Sequence, residues 1–248
     1  FIRNIRPETG PEAAKDKGHS GDGALFPSAQ SLMRAAISGP LGSFEGLSNQ
    51  DNFNLLGGRV NPPDPVGDVG PNHYVEMINL VYAVYDKQGN LVSGPNVLGD
   101  LWSDYAIADC AGNFGDPIVV YDQLEDRWIL SQFTAAGPLY YNCVAVSVTG
   151  DPTGAYYRYA FITQADPELP GGSFFPDYPK YGVWTHSYVM TTRDFGDVSG
   201  YGISIYALEK RKMIAGNPGA RAVQFFLDSN VVPLELIGDG LLPPDVDG

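Results

Sequence analysis

The sequence predicts an all-β fold, a β-propeller with four-stranded blades, and three observations lead to it. Gly (30) and Pro (20) are frequent in the 248 residues, which favours many turns over long helices. Short apolar runs alternate with polar turns from about residue 42 onward. One strand–turn–strand pattern, led by an aspartate, recurs along the chain.

The clearest copy of this pattern is GDPIVVYDQLEDRWILSQF at 115–133, led by Asp116. Weaker copies are led by Asp68 and Asp177. The leading aspartates lie about 50–60 residues apart, which is the period of four short strands in a propeller blade. Because a blade cannot bury both of its faces alone, such units stack around an axis.

Each unit is predicted to hold four strands. The predicted strands are 66–70, 73–78, 82–86 and one from 91; then 118–121, 127–133, 143–148 and 156–162; then 180–184, 188–192, 202–206 and 223–227, with a helical turn at 208–215. Residues 1–45 are predicted to form an extended arm or a leader remnant, and 46–248 the blades.

The last residues, LLPPDVDG at 241–248, are similar to the segment that enters the first unit, NPPDPVGD at 61–68. We expect them to begin a fourth blade. Since three blades cannot close a ring, the remaining blades are expected on the same precursor or on a second chain.

Five phrases resemble a group of large secreted bacterial proteins that are predicted β-propellers, mostly of unassigned function. The phrases are PDPVGDVGPNHYV (63–75), AVYDKQGN (83–90), 115–133, DPTGAYYRYAF (151–161) and DYPKYGVW (177–184). The resemblance covers about 42–248 and implies an exported propeller that continues past Gly248. The resemblance does not indicate any catalytic residues. The chain departs from the sequence pattern of that group at Thr185-His186.

The net charge of −14, with only 15 Lys and Arg, argues against nucleic-acid binding, which needs clustered cations. The charge fits a soluble extracellular protein, either in the presence of calcium or simply for solubility. No apolar run reaches the roughly 18–20 residues of a membrane span.

The chain has two cysteines, Cys110 and Cys143, one before the first strand of the central unit and one in its third. Neighbouring strands can bring such positions within bridging distance, so we expect a disulfide and an oxidising compartment. Two buried free thiols are the alternative. A cysteine-based metal site is not indicated, because no CxxC pair or Cys/His cluster is present.

Asp68, Asp116 and Asp177 are expected at one mouth of the central channel, with Asp247 or Asp245 as a fourth member. Converging carboxylates suit a hard cation, so the sequence suggests a structural Ca²⁺ ion. The alternative is that each aspartate caps its own turn.

Other candidate contacts lie in predicted loops. Phe174 and Phe175, flanked by Gly and Pro, form the aromatic pair expected to be exposed and to grip a glycan or protein ligand. His73 and His186 follow turns and would serve as bases if the protein is an enzyme, or as ordinary turn residues if it is not.

These observations favour a secreted binding or scaffold module with an ion near its axis. The alternatives are a polysaccharide-active glycosidase or lyase with an axial pocket, and a subunit of an extracellular assembly. Two carboxylates roughly 5–10 Å apart would be needed for glycosidase chemistry.

Overall fold

The computed structural model of the chain describes residues 42–137, 139–163, 174–196, 200–233, 236 and 240–246. The chain divides into a unit of residues 1–43 and a unit of 44–248, and every element below belongs to the second. The predicted arm, 1–45, lies almost wholly outside the described residues.

The second unit is built from twelve described strands. Sheet 1 contains β1 Pro65–Val69, β2 His73–Ile78, β3 Val81–Asp86 and β4 Leu91–Val97; sheet 2 contains β5 Ile118–Asp122, β6 Arg127–Phe133, β7 Tyr141–Ser147 and β8 Tyr156–Ile162; sheet 3 contains β9 Phe174–Val183, β10 Tyr188–Gly196, β11 Gly200–Leu208 and β12 Ala222–Asp228. Helix α1 is Asn49–Leu56, helix α2 is Lys210–Ile214, and 3-10 helices span Leu98–Trp102 and Ala108–Ala111.

Each sheet is an antiparallel meander in which every strand pairs with the strands next to it in the chain. Strand β1 contacts β5, and β5 contacts β9, so the first strands of the three sheets lie side by side. The predicted all-β class and the grouping of strands in fours are confirmed.

The core lies between the sheets. Val75, Met77 and Val84 of sheet 1 pack with Trp128 and Leu130 of sheet 2. The other side of sheet 2 packs against sheet 3, where the buried side chains include Ile129, Val144, Tyr181, Met190 and Tyr206. Sheet 2 is therefore buried on both faces, whereas sheets 1 and 3 each turn one face away from it.

The predicted disulfide between Cys110 and Cys143 is confirmed, with the two Cα atoms 5.7 Å apart and both residues buried. It joins the 3-10 helix before β5 to strand β7. The Gln132 side-chain amide donates to the Cys110 carbonyl oxygen at 2.7 Å and holds the same helix on β6. Within the described ranges, no helix has the length and apolar character needed to cross a membrane.

Candidate functional site

A residue–proline pair lies at the start of β1, directly before β5 and within β9. The pairs are Asp64-Pro65, Asp116-Pro117 and Tyr178-Pro179, and their first residues have φ values of 43°, 46° and 52°. Positive φ is uncommon outside glycine and is an outlier for a bulky side chain such as tyrosine. The three pairs, each with the next residue along, line an open pocket of about 400 Å³, here called the entry pocket.

Asp64 is fixed in the entry pocket by Asn79, which lies in the turn between β2 and β3. The Asn79 amide nitrogen donates to Asp64 Oδ2 at 3.0 Å and to the Pro62 carbonyl oxygen at 3.0 Å. Gly115, with φ of 114°, passes close by, and a Cβ at this position would lie 2.5 Å from Asn79 Oδ1. Glycine is thus required immediately before Asp116.

Asp116 and Asp177 form a carboxyl pair at the edge of the entry pocket. Burial, a hydrogen bond that the protonated Asp116 carboxyl group donates to Asp177, and the charges of Asp177 and Asp64 raise the pKa of Asp116 to about 6. The backbone N–H of Tyr178 donates to Asp116 Oδ2 at 3.3 Å, and this hydrogen bond lowers the pKa of Asp116. The pair can therefore retain one proton up to about pH 6, as two carboxyl groups in contact generally do.

Lys180 brings a cation to the same pocket. Its Nζ lies 3.4 Å from the centroid of the Tyr178 ring and 3.3 Å from the Pro179 carbonyl oxygen. Burial lowers the pKa of Lys180, and the charges of the three pocket aspartates partly oppose that shift. Tyr178 itself is 52% exposed, so the pocket combines carboxylates, an ammonium group and an accessible aromatic ring.

Asp68 does not join this pocket, in contrast to the predicted ring. Its Oδ2 accepts from the Tyr121 N–H of β5 at 2.6 Å, and its Oδ1 accepts from the Val69 N–H at 2.7 Å. Asp68 therefore bridges β1 to β5 through backbone amides. The residue that corresponds to Asp116 is Asp64, because both precede the proline at the start of a first strand.

Asp245 makes the same kind of bridge. Its Oδ1 accepts from Val183 N–H of β9 at 2.9 Å and from Val246 N–H at 3.0 Å. Asp247, the predicted fourth member of the ring, lies outside the described residues. Across the part of the chain that the structure describes, no three His, Cys, Asp or Glu side chains form a group that would hold a metal ion.

The expectation that Phe174 and Phe175 form an exposed pair is wrong. Strand β9 begins at Phe174, so these residues belong to sheet 3 and not to a loop. Phe174 is only 1% exposed and packs on Phe226, while Phe175 packs edge-on against Phe133 and Tyr140. Their rings form part of the packing of sheets 2 and 3.

The two histidines lie elsewhere. His73 lines a separate open pocket of about 440 Å³ together with Asp126 and Asp151. His186 is exposed in the turn between β9 and β10. Neither residue is among those that line the entry pocket, so neither of these two histidines is brought together with the carboxyl pair.

Sequence reasoning missed Asp64, Tyr178 and Lys180. The signal that would have found them is the residue–proline pair that recurs at or near the first strand of each unit, which marks corresponding positions better than the aspartate alone. Comparison with protein-family models, with curated proteins and with solved structures finds no match for this chain.

Proposed function

We propose that the chain is a binding module of propeller type whose entry pocket takes a hydroxyl-rich ligand of the glycan class. The adjacency of β1, β5 and β9 and the burial of sheet 2 on both faces support a radial arrangement of the sheets as blades. In this arrangement the entry pocket lies at one end of the central channel of the propeller.

The observation that carries the proposal is the combination of groups around the pocket. Carboxylates accept hydrogen bonds from hydroxyl groups, and Lys180 donates them. An exposed ring such as that of Tyr178 offers an apolar face for stacking, as in small-ligand sites that combine an aromatic wall with a few polar groups. We place the protein outside the cell, because the disulfide is of the kind that persists in oxidising compartments.

A Ca²⁺ ion near the axis stays a prediction. Asp116 and Asp177 are the two carboxyl groups in contact here, and an ion would displace the proton that they share. The remaining ligands would have to come from backbone oxygens, water or the bound molecule.

A polysaccharide-active enzyme is the second candidate, favoured by the raised pKa of Asp116. A glycosidase, however, holds its two carboxyl groups roughly 5–10 Å apart, whereas those of Asp116 and Asp177 are hydrogen-bonded to each other. Asp64 and Asp116 are the alternative pair. A binding function is preferred because it does not require two carboxyl groups at a fixed distance from each other.

The test is retention on a panel of immobilised polysaccharides, followed by titration calorimetry with oligosaccharides of any that binds. Asp116→Asn and Tyr178→Ala are expected to weaken binding at least about tenfold, which corresponds to about 1.4 kcal/mol. The matched controls are Asp100→Asn and Trp184→Ala, an exposed aspartate and an exposed tryptophan outside the pocket. Equal binding by pocket and control variants, or no retained glycan, would refute the proposal, and release of reducing ends would favour the enzyme.

A further inference from the structure

A buried asparagine connects the two segments that lead into β1 and β5. Asn79 is 4% exposed and lies in the two-residue turn between β2 and β3. Its backbone φ is 46°, a left-handed conformation that asparagine adopts more readily than most other residues. Asn79 is not among the residues that line the entry pocket, so any effect on a ligand must pass through its neighbours.

The nitrogen of the Asn79 amide determines which oxygen Asp64 presents to the pocket. This nitrogen donates to Asp64 Oδ2 and to the Pro62 carbonyl oxygen, each at 3.0 Å. Within the described part of the chain, no group donates a hydrogen bond to Asp64 Oδ1. Asp64 is half-buried, so Oδ1 is the acceptor that remains for a hydroxyl group of a ligand.

The oxygen of the same amide faces the segment before β5. Asn79 Oδ1 is buried and accepts no hydrogen bond from the described residues. It lies against Gly115, since a Cβ on this glycine would be only 2.5 Å from it. An amide oxygen in such a position can make a weak contact with the Cα–H group of glycine. One side chain therefore contacts both the Asp64 carboxylate and the residue directly before Asp116.

These contacts leave the Asn79 amide little freedom. Asp64 and Pro62 hold its nitrogen, and Gly115 closes the space beside its oxygen. The amide keeps its two hydrogen bonds only while Gly115 leaves room for Oδ1. A displacement of the backbone before β5 should therefore move the Asp64 carboxylate, although Asp64 belongs to a different sheet entry.

We propose that Asn79 is a positioning residue of the entry pocket, which orients the Asp64 carboxylate and couples it to the backbone in front of Asp116. The inference deepens the proposed function, and its ligand readout rests on that function. Asp64 and Asp116 then meet a ligand as one pre-organised pair of acceptors. Pre-organisation favours binding because less side-chain freedom is lost when the ligand binds.

Asn79→Gly tests the role with little backbone strain, because glycine readily adopts positive φ. Cello-, malto- and mannohexaose are the probes for titration calorimetry, and affinity for each probe that binds the wild type should fall at least about tenfold. The matched control is Asn52→Ala. Asn52 is also a buried asparagine, and its amide donates to the Ile78 carbonyl oxygen at 3.0 Å, directly before Asn79. Its loss should lower stability and leave affinity unchanged.

The contact with Gly115 is tested without a ligand. Gly115→Ala places a methyl group against Asn79 Oδ1 and also strains a backbone with φ of 114°. In an Asn79→Gly background only the strain remains, so Gly115→Ala should lower the urea midpoint less than it does in the wild type. The carbon-13 signal of the Asp64 carboxyl group is the second readout. It should shift in Gly115→Ala, in which Asp64 and Asn79 are both unchanged, and in Asn79→Gly, but not in Asn52→Ala.

Circular dichroism checks that each variant is folded. Additive urea shifts, an unmoved Asp64 signal, or equal affinity of Asn79→Gly and wild type for a bound probe would overturn the proposal. If no probe binds the wild type, the glycan function loses its support, whereas non-additive urea shifts and a moved Asp64 signal would still support the coupling. The two failures are therefore distinguishable.

Discussion

Lys210 and Asp122 form a fully buried ion pair, with Lys210 Nζ 2.7 Å from Asp122 Oδ2 and both side chains inaccessible to solvent. The Tyr188 hydroxyl donates to the same oxygen at 2.8 Å, and Lys210 Nζ also donates to the Trp184 carbonyl oxygen at 3.2 Å. Asp122 ends β5, whereas the other residues belong to β10, α2 and the turn between β9 and β10. The pair therefore ties sheet 2 to sheet 3.

Replacing Lys210 by methionine should be severely destabilising. It leaves the Asp122 carboxylate buried without its counter-charge, and breaking such a pair costs about 3–5 kcal/mol of unfolding free energy. Urea unfolding followed by tryptophan fluorescence measures the loss. Lys212→Met, which removes a partly exposed lysine that pairs with Glu209, should cost less than about 1 kcal/mol.

Adding Asp122→Asn to Lys210→Met should recover part of that loss, because the neutral amide no longer places an unpaired charge in the core. If the double variant is as unstable as the sum of the two single variants, the charges are not coupled and the interpretation fails.

The buried carboxyl group of Asp194 should make stability fall as the pH rises. Burial raises the pKa of Asp194 to about 7, although Thr192 Oγ1 donates to it at 2.7 Å and Ser204 Oγ also donates. Since the ordinary value is about 3.9, the folded state holds a proton that the unfolded state has lost between about pH 4 and 7. The contribution of Asp194 to stability is full below about pH 4 and decreases through this window, on the order of 1.4 kcal/mol per pH unit.

The measurement is the urea midpoint from about pH 4 to 8 for wild type and Asp194→Asn. The variant should show a shallower decline, with a residual slope from Asp116 and Glu76, whose pKa values are also raised by burial. Below about pH 4 the lowered pKa values of Glu209 and Asp151 act in the opposite direction. Identical slopes in both proteins would contradict the assignment.

The disulfide should stabilise the chain by about 3–4 kcal/mol, from the closure of a loop with a sequence separation of 33. Cys110→Ala/Cys143→Ala is expected to unfold at correspondingly lower urea. Because both cysteines are buried, a reductant should act on the native protein only through unfolding, and thiol labelling should therefore track the unfolded fraction. Rapid labelling of the native protein under reductant would show that the bridge is accessible.

Asp68 and Asp245 should contribute to stability and not to the entry pocket. Each accepts two backbone N–H groups, so Asp68→Ala and Asp245→Ala should each cost about 1–3 kcal/mol while glycan affinity is unchanged. Melting curves with calcium and with chelator separate this role from metal binding. A calcium-dependent rise in melting temperature that is lost in Asp68→Ala would support the ring of aspartates instead.

The strands could be predicted from the sequence because their signals are local. Alternating apolar residues and turn residues such as Lys87-Gln88-Gly89-Asn90 act within a few positions, and the predicted strand 127–133 coincides with β6. The helical turn expected at 208–215 contains α2. The disulfide was predicted correctly, but Cys110 reaches Cys143 from a 3-10 helix that is held on β6 by Gln132, the strand partner of Cys143.

The site could be predicted only in part because its geometry is not local. Asp68 and Asp116 precede similar apolar residues, but the left-handed backbone groups Asp116 with Asp64 and Tyr178 and not with Asp68. The burial of Phe174 depends on Phe226, which lies in a distant strand. Likewise, Lys210 belongs to a short basic cluster in the sequence, and only the folded structure shows that Asp122 at the end of β5 is its partner.

The meander topology has a consequence for how this chain folds and evolves. Every hydrogen-bonded strand pair joins segments that are consecutive in the sequence, so the average separation between paired residues is short for an all-β protein. Each sheet can form its ladder before it meets its neighbours, which should make folding faster than in a Greek-key protein of similar size. The same locality means that a gene duplication of one meander would lengthen the protein without rerouting any existing connection.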